Sequence, residues 1–279
     1  GAGAAGTAAG TSATGAASQG LLASTTAKVA LGVAATVLVA GGATGVRHFT
    51  ASPAKPRPRP TPSAAPTVQL VAARQCKVTG PLGDDQTPRG APAKVRTAVR
   101  LPAGAAVYRF DKGVYVVGPA GRTCSGSSGN SSAGTTIGRG AAAGSVFTYA
   151  PFSIGSFNIS TCQYFPDSPE AAKIRREAQC TSDLRVRRPL DLGRPSPKMM
   201  VGLNPPTTEA KPASPYVAVV LGVLNGGSLT CRLLAAQADV CTAALTFGVE
   251  RATAGKPLTP AAVAAVQRQI ADAVAASKR

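Results

Sequence analysis

All six cysteines of this chain lie downstream of its one membrane-length apolar run. That run is Val29 to Val46, VALGVAATVLVAGGATGV, and it carries no charge. Cys76, Cys124, Cys162, Cys180, Cys231 and Cys241 all follow it. An even cysteine count beyond such a segment points to a domain that folds in an oxidising compartment and is stapled by disulfides. The spacings do not suit zinc: there is no close Cys-x-x-Cys pair, and the one histidine, His48, stands at the end of the apolar run. A thioredoxin-like redox motif is absent for the same reason. Six cysteines leave many pairings open. Pairing nearest neighbours would join Cys76 to Cys124, Cys162 to Cys180 and Cys231 to Cys241. Each bridge would add roughly 3 kcal/mol by restricting the unfolded chain.

The run itself has 18 residues, which as a helix reach roughly 27 Å, just enough for a bilayer core. It is rich in Ala and Gly rather than Leu, so insertion is marginal. Three readings are open: a single-pass anchor, an export signal and a buried soluble helix. We prefer the anchor, because the long neutral stretch before it is no charged n-region. Arg47, Lys55, Arg57 and Arg59 follow the run and only Lys28 closely precedes it, so the positive-inside rule alone would keep the C-terminal side in the cytoplasm. The cysteines argue the other way, and large domains translocate with little regard to charge. The expectation is therefore a cell-membrane protein whose C-terminal domain is extracytoplasmic.

Flanking segments complete the layout. Residues 1–27 are uncharged and built from Gly, Ala, Thr, Ser, Leu and Gln, a composition that cannot bury enough apolar area to offset chain entropy. They read as a disordered linker. The chain does not open on methionine, which suggests a piece of a longer protein. Residues 28–47 are the transmembrane segment and 48–66 a proline-rich tether, including SPAKPRPRPTPSAAP. Its prolines favour an extended polyproline II spacer of roughly 40 Å. Residues 67–279 are the folded domain.

Within that domain, short β-type runs alternate with turn residues. Thr67–Ala73, Val95–Leu101, Val107–Phe110, Val114–Val117, Val146–Tyr149 and Phe157–Ile159 read as strands. Asp111-Lys112-Gly113 suits a hairpin turn. Tyr216–Leu224 is an unbroken apolar run ended by Asn225-Gly226-Gly227, a central strand covered on both faces. Thr242–Phe247 reads as a strand returning beside it. Ser168-Pro169-Glu170 and Thr259-Pro260 are N-cap signals. They predict a short helix near 168–179 and a C-terminal helix near 260–277, the latter with Val263, Val266, Ile270 and Val274 on one face. Gly126–Gly144 and the proline-rich stretch Pro189–Pro215 read as loops. The fold class is α+β, mostly antiparallel, disulfide-stapled and preceded by a single transmembrane helix.

The net charge is +18, which favours anionic partners. Arg175, Arg176, Arg185, Arg187, Arg188, Arg194 and Lys198 form the best sequence cluster for an anionic ligand, because arginine forks suit phosphate and carboxylate. An anionic cell-wall polymer or an acidic protein fits better than nucleic acid, since only Tyr164 and Phe165 are nearby for base stacking. The bland alternative is a solvated basic face in an Ala/Gly/Arg/Pro-rich chain. Catalysis finds little support. No histidine completes a serine triad, Asp84-Asp85 reads as a turn, and Asp167, Asp183 and Asp191 form a site only if the fold brings them together. No catalytic residue, metal ligand or cofactor is assigned.

The layout of Ala/Gly-rich linker, weak span AKVALGVAATVLVAGGATGV, PRPRPTP tether and cysteine-paired domain resembles that of actinobacterial membrane-anchored exported proteins of unknown function. It is similar to the C-terminal extracytoplasmic extensions of some extracytoplasmic-function sigma factors. The texture GPAGRTCSG followed by STCQYFPDSPEAAKIRREAQC resembles the same exported proteins. The resemblance runs from Gly1 to about Cys180 and brings no catalytic residues. It implies a signalling role at the cell envelope: a non-catalytic sensing or binding domain, regulating a cytoplasmic part that precedes it. The alternatives are a basic wall-associated protein that binds anionic polymer, and an atypical histidine-independent enzyme.

Overall fold

Gly113 takes φ +82°, and around it the chain reverses between strands β4 (Ala105–Asp111) and β5 (Val114–Pro119). This is the hairpin expected at Asp111-Lys112-Gly113, seen here in a computed structural model. The structure describes residues 67–279 except 112, 139–143, 178, 183, 185, 195–197, 204–214 and 279, with only the backbone of Asp111. The linker, apolar run and tether lie outside the described residues. Among those described, no helix is long and apolar enough to cross a membrane.

The domain is α+β, with two sheets. In the first, β1 (Gln69–Gln75) pairs antiparallel with β3 (Lys94–Thr97) and then parallel with β4, giving the order β3-β1-β4-β5. The second sheet has eight strands. In chain order they are β2 (Lys77–Thr79), β6 (Cys124–Ser128), β7 (Ser132–Ile137), β8 (Ser145–Pro151), β9 (Val186–Pro189), β10 (Met199–Leu203), β11 (Tyr216–Val223) and β12 (Ser228–Leu234). Their order across the sheet is β2-β6-β7-β8-β12-β11-β10-β9, and every pair is antiparallel except β2 with β6.

Strand β11 is an interior strand, paired on both edges by β12 and β10, as its unbroken apolar run requires. Side chains on a strand alternate between faces. Leu221 and Gly222 therefore look opposite ways: Gly248 sits behind Leu221, while Gly222 lies against the ring of Tyr164. Helix α3 (Ala238–Ala252) covers the first face and α1 (Ile154–Tyr164) the second. The turn into β12 needs two special residues. Asn225 adopts φ +56°, a left-handed state that Asn tolerates. At Gly227 a Cβ would run into the carbonyl oxygen of Tyr149.

Four sequence expectations are corrected. Thr242–Phe247 is not a strand but the middle of α3. This helix is buried almost all round, from Val240 to Val249, and a continuous apolar run of that kind cannot be told from a buried strand by periodicity. Its β-branched threonines are accommodated because Thr242 and Thr246 donate their hydroxyls to the carbonyls of Ala238 and Thr242, the back-bonding open to Thr inside a helix. Phe157–Ile159 likewise belongs to helix α1, which Ser153 caps by accepting from the Ser156 N–H. The stretch Gly126–Gly144 is largely paired: β6 and β7 use small residues so that the Phe110 ring can lie over Gly126 and Phe147 over Gly134. Within Pro189–Pro215, β10 is a wholly buried strand.

The short helix, α2 (Pro169–Ile174), starts at its expected Ser168 cap but ends well before residue 179. Tight bonds from Arg176 N–H to the Lys173 carbonyl and from Glu177 N–H to the Ile174 carbonyl close it. The chain must then turn back so that Cys180 can reach Cys162. The C-terminal helix α4 (Pro260–Ala276) forms where predicted, with Val263, Val266, Ile270 and Val274 buried.

Helix α3 is the keystone. It packs against β5 of the first sheet, β11 and β12 of the second, and α4. Two devices fix its position. Cys241 on α3 is bonded to Cys231 on β12. At the other end Glu250 accepts from the Thr97 hydroxyl at 2.5 Å and from the Ala98 N–H at 2.7 Å, tying α3 to the end of β3. The core that results is continuous across both sheets. Charge-assisted bonds of this sort contribute about 1.5–3 kcal/mol each. Glu250→Ala should therefore lower the unfolding free energy by about 3 kcal/mol in a denaturant titration. Asp272→Ala, a change on the exposed surface of α4, should alter it by less than about 0.5 kcal/mol.

Candidate functional site

The three disulfides join Cys76 to Cys124, Cys162 to Cys180 and Cys231 to Cys241. This is the nearest-neighbour pairing, and no described cysteine is free. Each bridge closes a junction between packed parts. Cys76 follows β1 of the first sheet, and Cys124 opens β6 of the second. Cys162 on α1 holds the segment that leaves α2, and the third bridge seats α3. Cys76, Cys231 and Cys241 have no exposed surface. By loop length alone the first bridge contributes about 4 kcal/mol and the other two about 3 kcal/mol each.

The described members of the basic cluster read from the sequence lie on several separate elements. Arg187 and Arg188 are successive residues of β9 and so point to opposite faces. Arg187 pairs with Asp167 at 3.2 Å and donates to the Ser182 hydroxyl at 3.3 Å. The Asp167 side chain is 85% exposed, and a pair so wet contributes less than about 1 kcal/mol. Arg175 and Arg176 lie exposed in the turn after α2, and Lys198 lies exposed before β10. Arg194 sits half-buried in the loop that Asp191 and Gln269 dock onto α4 through a backbone N–H and carbonyl. Arg185 and Asp183 are outside the described residues.

The described aspartates among the sequence candidates lie in separate turns and loops. Asp191 accepts from the Gly193 N–H within its own loop. Asp84 and Asp85 belong to a turn that folds back on β2. Asp85 accepts from the Thr87 N–H at 2.9 Å, and the Thr87 hydroxyl accepts from Val78. Hydrogen bonds from the Thr87 side chain and then its backbone hold the Asp85 carboxyl below the ordinary carboxylate range. Elsewhere, burial pushes the Tyr164 phenol up, against a hydrogen bond with Ser228. No group of three His, Cys, Asp or Glu suited to a metal ion occurs among the described residues.

A different part of the molecule gathers recognition features. Along β1 Leu70, Ala72 and Arg74 are exposed on one alternation, which Val68 precedes, while Gln69 and Gln75 at the strand ends are exposed on the other. On β3 they are Lys94 and Arg96. The register sets Leu70 beside Arg96 and Ala72 beside Lys94, so these side chains share one face. Val68 is 56% and Leu70 60% exposed. No Asp or Glu lies on either strand or anywhere between Gln86 and Phe110.

Next to this face, β1 leaves β3 and joins β4 partway along its length, and the splay opens a groove of about 590 Å³. Its lining is mostly small: Ala72, Ala73, Gly90, Ala91, Pro92, Ala93, Ala105 and Ala106, with Val71 and Val107. Arg74 and Gln75 are the polar lining residues. The Gln75 amide is committed to the carbonyls of Cys76 and Arg109. The groove lining thus has a guanidinium for an anion but no carboxylate, thiol or hydroxyl. Sequence reasoning passed over Arg74, Lys94 and Arg96 because they are distant in the chain and only strand register makes them neighbours. The alternation of V-x-L-x-A-x-R and K-x-R was the signal available.

The chain matches no protein-family model, no curated protein and no solved structure. One check on the turn chemistry is available in acid. A carboxyl held below its unfolded value stabilises the fold above about pH 4, and that contribution is lost as pH falls through the lower folded value. Asp85→Ala should therefore lower Tm at neutral pH and flatten the acid limb of a Tm-versus-pH profile, the two profiles converging as pH falls below about 4.

Proposed function

We propose that residues 67–279 are a non-catalytic binding or sensing domain held outside the cytoplasm on a single-pass anchor, residues 28–47, with the proline-rich segment 48–66 as spacer. The observation that carries this reading is the set of three disulfides, each at a junction between packed parts and two of them sealed in or against the core. Such bridges persist in oxidising compartments and are rare where glutathione keeps thiols reduced. The layout's similarity to membrane-anchored extensions of sigma factors adds a regulatory role toward a cytoplasmic part. Labelling intact cells with a membrane-impermeant thiol reagent tests the reading. The cysteines should stay unlabelled until a reductant is added, and should then label from outside. Free thiols that label only after lysis would place the domain in the cytoplasm and end the proposal.

A second reading, a wall-associated protein that holds anionic polymer, draws on the acid-free stretch around β1 and β3. Exposed charge pairs are screened by salt. If this reading holds, the protein should stay on isolated cell wall at low ionic strength and elute as salt rises. A protein that washes off at low salt has no such role.

A further inference from the structure

We propose that the exposed face of β1 and β3 is a lipid-contacting surface that docks the domain onto an anionic bilayer, a proposal that rests on the anchored, extracytoplasmic reading above. The face combines two kinds of side chain that an anionic membrane interface rewards. Val68 and Leu70 are more than half exposed; Arg96 stands beside Leu70 in register, and Lys94 and Arg74 follow along the same side of the strand pair. Apolar side chains gain by entering the headgroup boundary, and cations gain by electrostatic attraction to anionic lipids. Neither strand carries a carboxylate that would oppose the approach. The position in the chain strengthens the case. Val68 follows the apolar run by 22 residues, so the face begins where the tether enters the domain. An anchored chain would hold it at high effective concentration near its own bilayer. A soluble polyanion would use the three cations but would leave Val68 and Leu70 without a role, so the bilayer accounts for more of the face.

The chain contains no tryptophan, which makes a single introduced indole an unambiguous reporter. The full chain carrying Leu70→Trp would be reconstituted into vesicles of phosphatidylcholine, with or without phosphatidylglycerol, using lipids brominated on their acyl chains. The indole emission should shift to the blue and be quenched in the phosphatidylglycerol vesicles alone, and raised salt should reverse both effects. The combined change Arg74→Glu, Lys94→Glu and Arg96→Glu should weaken this docking by about a hundredfold or more, at roughly fivefold per cation lost. Three intact disulfides by mass spectrometry would confirm that this variant folds, and the salt titration tests the charges without it. An Ile159→Trp reporter on α1 should stay solvent-like in both vesicles.

A Leu70→Trp indole that stays solvent-like in both compositions, or is quenched equally in both, overturns the proposal. Flotation with neutral vesicles scores the anchor separately. A chain that does not float with phosphatidylcholine yet is quenched by the anionic vesicles keeps the face and loses the anchor. A response to soluble polyphosphate with none to either bilayer overturns the lipid assignment in favour of a wall polymer.

Discussion

The burial of α3 between two sheets is the constraint on which the rest of the domain depends. A helix enclosed on nearly every side must satisfy its polar groups internally or through designed partners. Thr242 and Thr246 do the first by bonding back along the helix. Glu250 does the second, with its carboxylate shared between Thr97, Ala98 and Arg251. Arg251 in turn donates to the carbonyl of Arg96 and lies 5.2 Å from the Phe247 ring centroid. The C-terminal end of α3 is therefore wired into the end of β3, and its N-terminal end is bonded to β12 through Cys241.

The same arrangement positions the candidate binding face. Because Glu250 and Arg251 hold the last residues of β3 from the inner side, the outer side chains of that strand have no packing duty. Thr97 and Val95 turn inward and are buried, while Lys94 and Arg96 turn out and are exposed. Strand β1 follows the same alternation, and the bridge from Cys76 holds its far end to the second sheet. A charged, short edge strand also resists pairing with a second sheet. The cations on β3 therefore serve solubility whether or not they meet a ligand, and recognition can be added at no cost to folding.

The domain has no tryptophan and few other aromatic residues. Its core is mainly Val, Leu, Ala and Ile with three disulfides, and Tyr108 and Phe247 are its largest fully buried rings. Small side chains allow close layers: Gly118 backs onto Ile137, Gly202 onto Leu184 and Gly222 onto Tyr164. Glycines at such contacts leave no room for substitution, and the bridges compensate for the freedom they give the unfolded chain.

Much of this was written in the sequence where the determining physics is local. The caps at Ser168 and Thr259, the hairpin at Gly113, the central apolar strand and the two-faced C-terminal helix each rest on neighbours within one turn or one strand. Even the disulfide pairing followed chain proximity. The sequence could not assign α3, because a helix enclosed by other elements loses the amphipathic period that identifies it, and its threonines favour a strand until back-bonding is available; α1 escaped for the opposite reason, since it exposes Ile154 and Ile159 and buries Ser156, Ser160 and Thr161. The sequence could not assign β6, β7 and β10 either: their small or proline-flanked residues look like loop until a ring or a neighbouring strand lies against them. The candidate site shows the same division. The sequence grouped its arginines by proximity from 175 to 198, but successive residues of a strand face opposite ways, and β9 separates Arg187 from Arg188. Only the register of β1 with β3 brings Leu70 beside Arg96 and Lys94 near Arg74, because pairing between strands depends on tertiary packing, here the docking of α3, and not on distance along the chain.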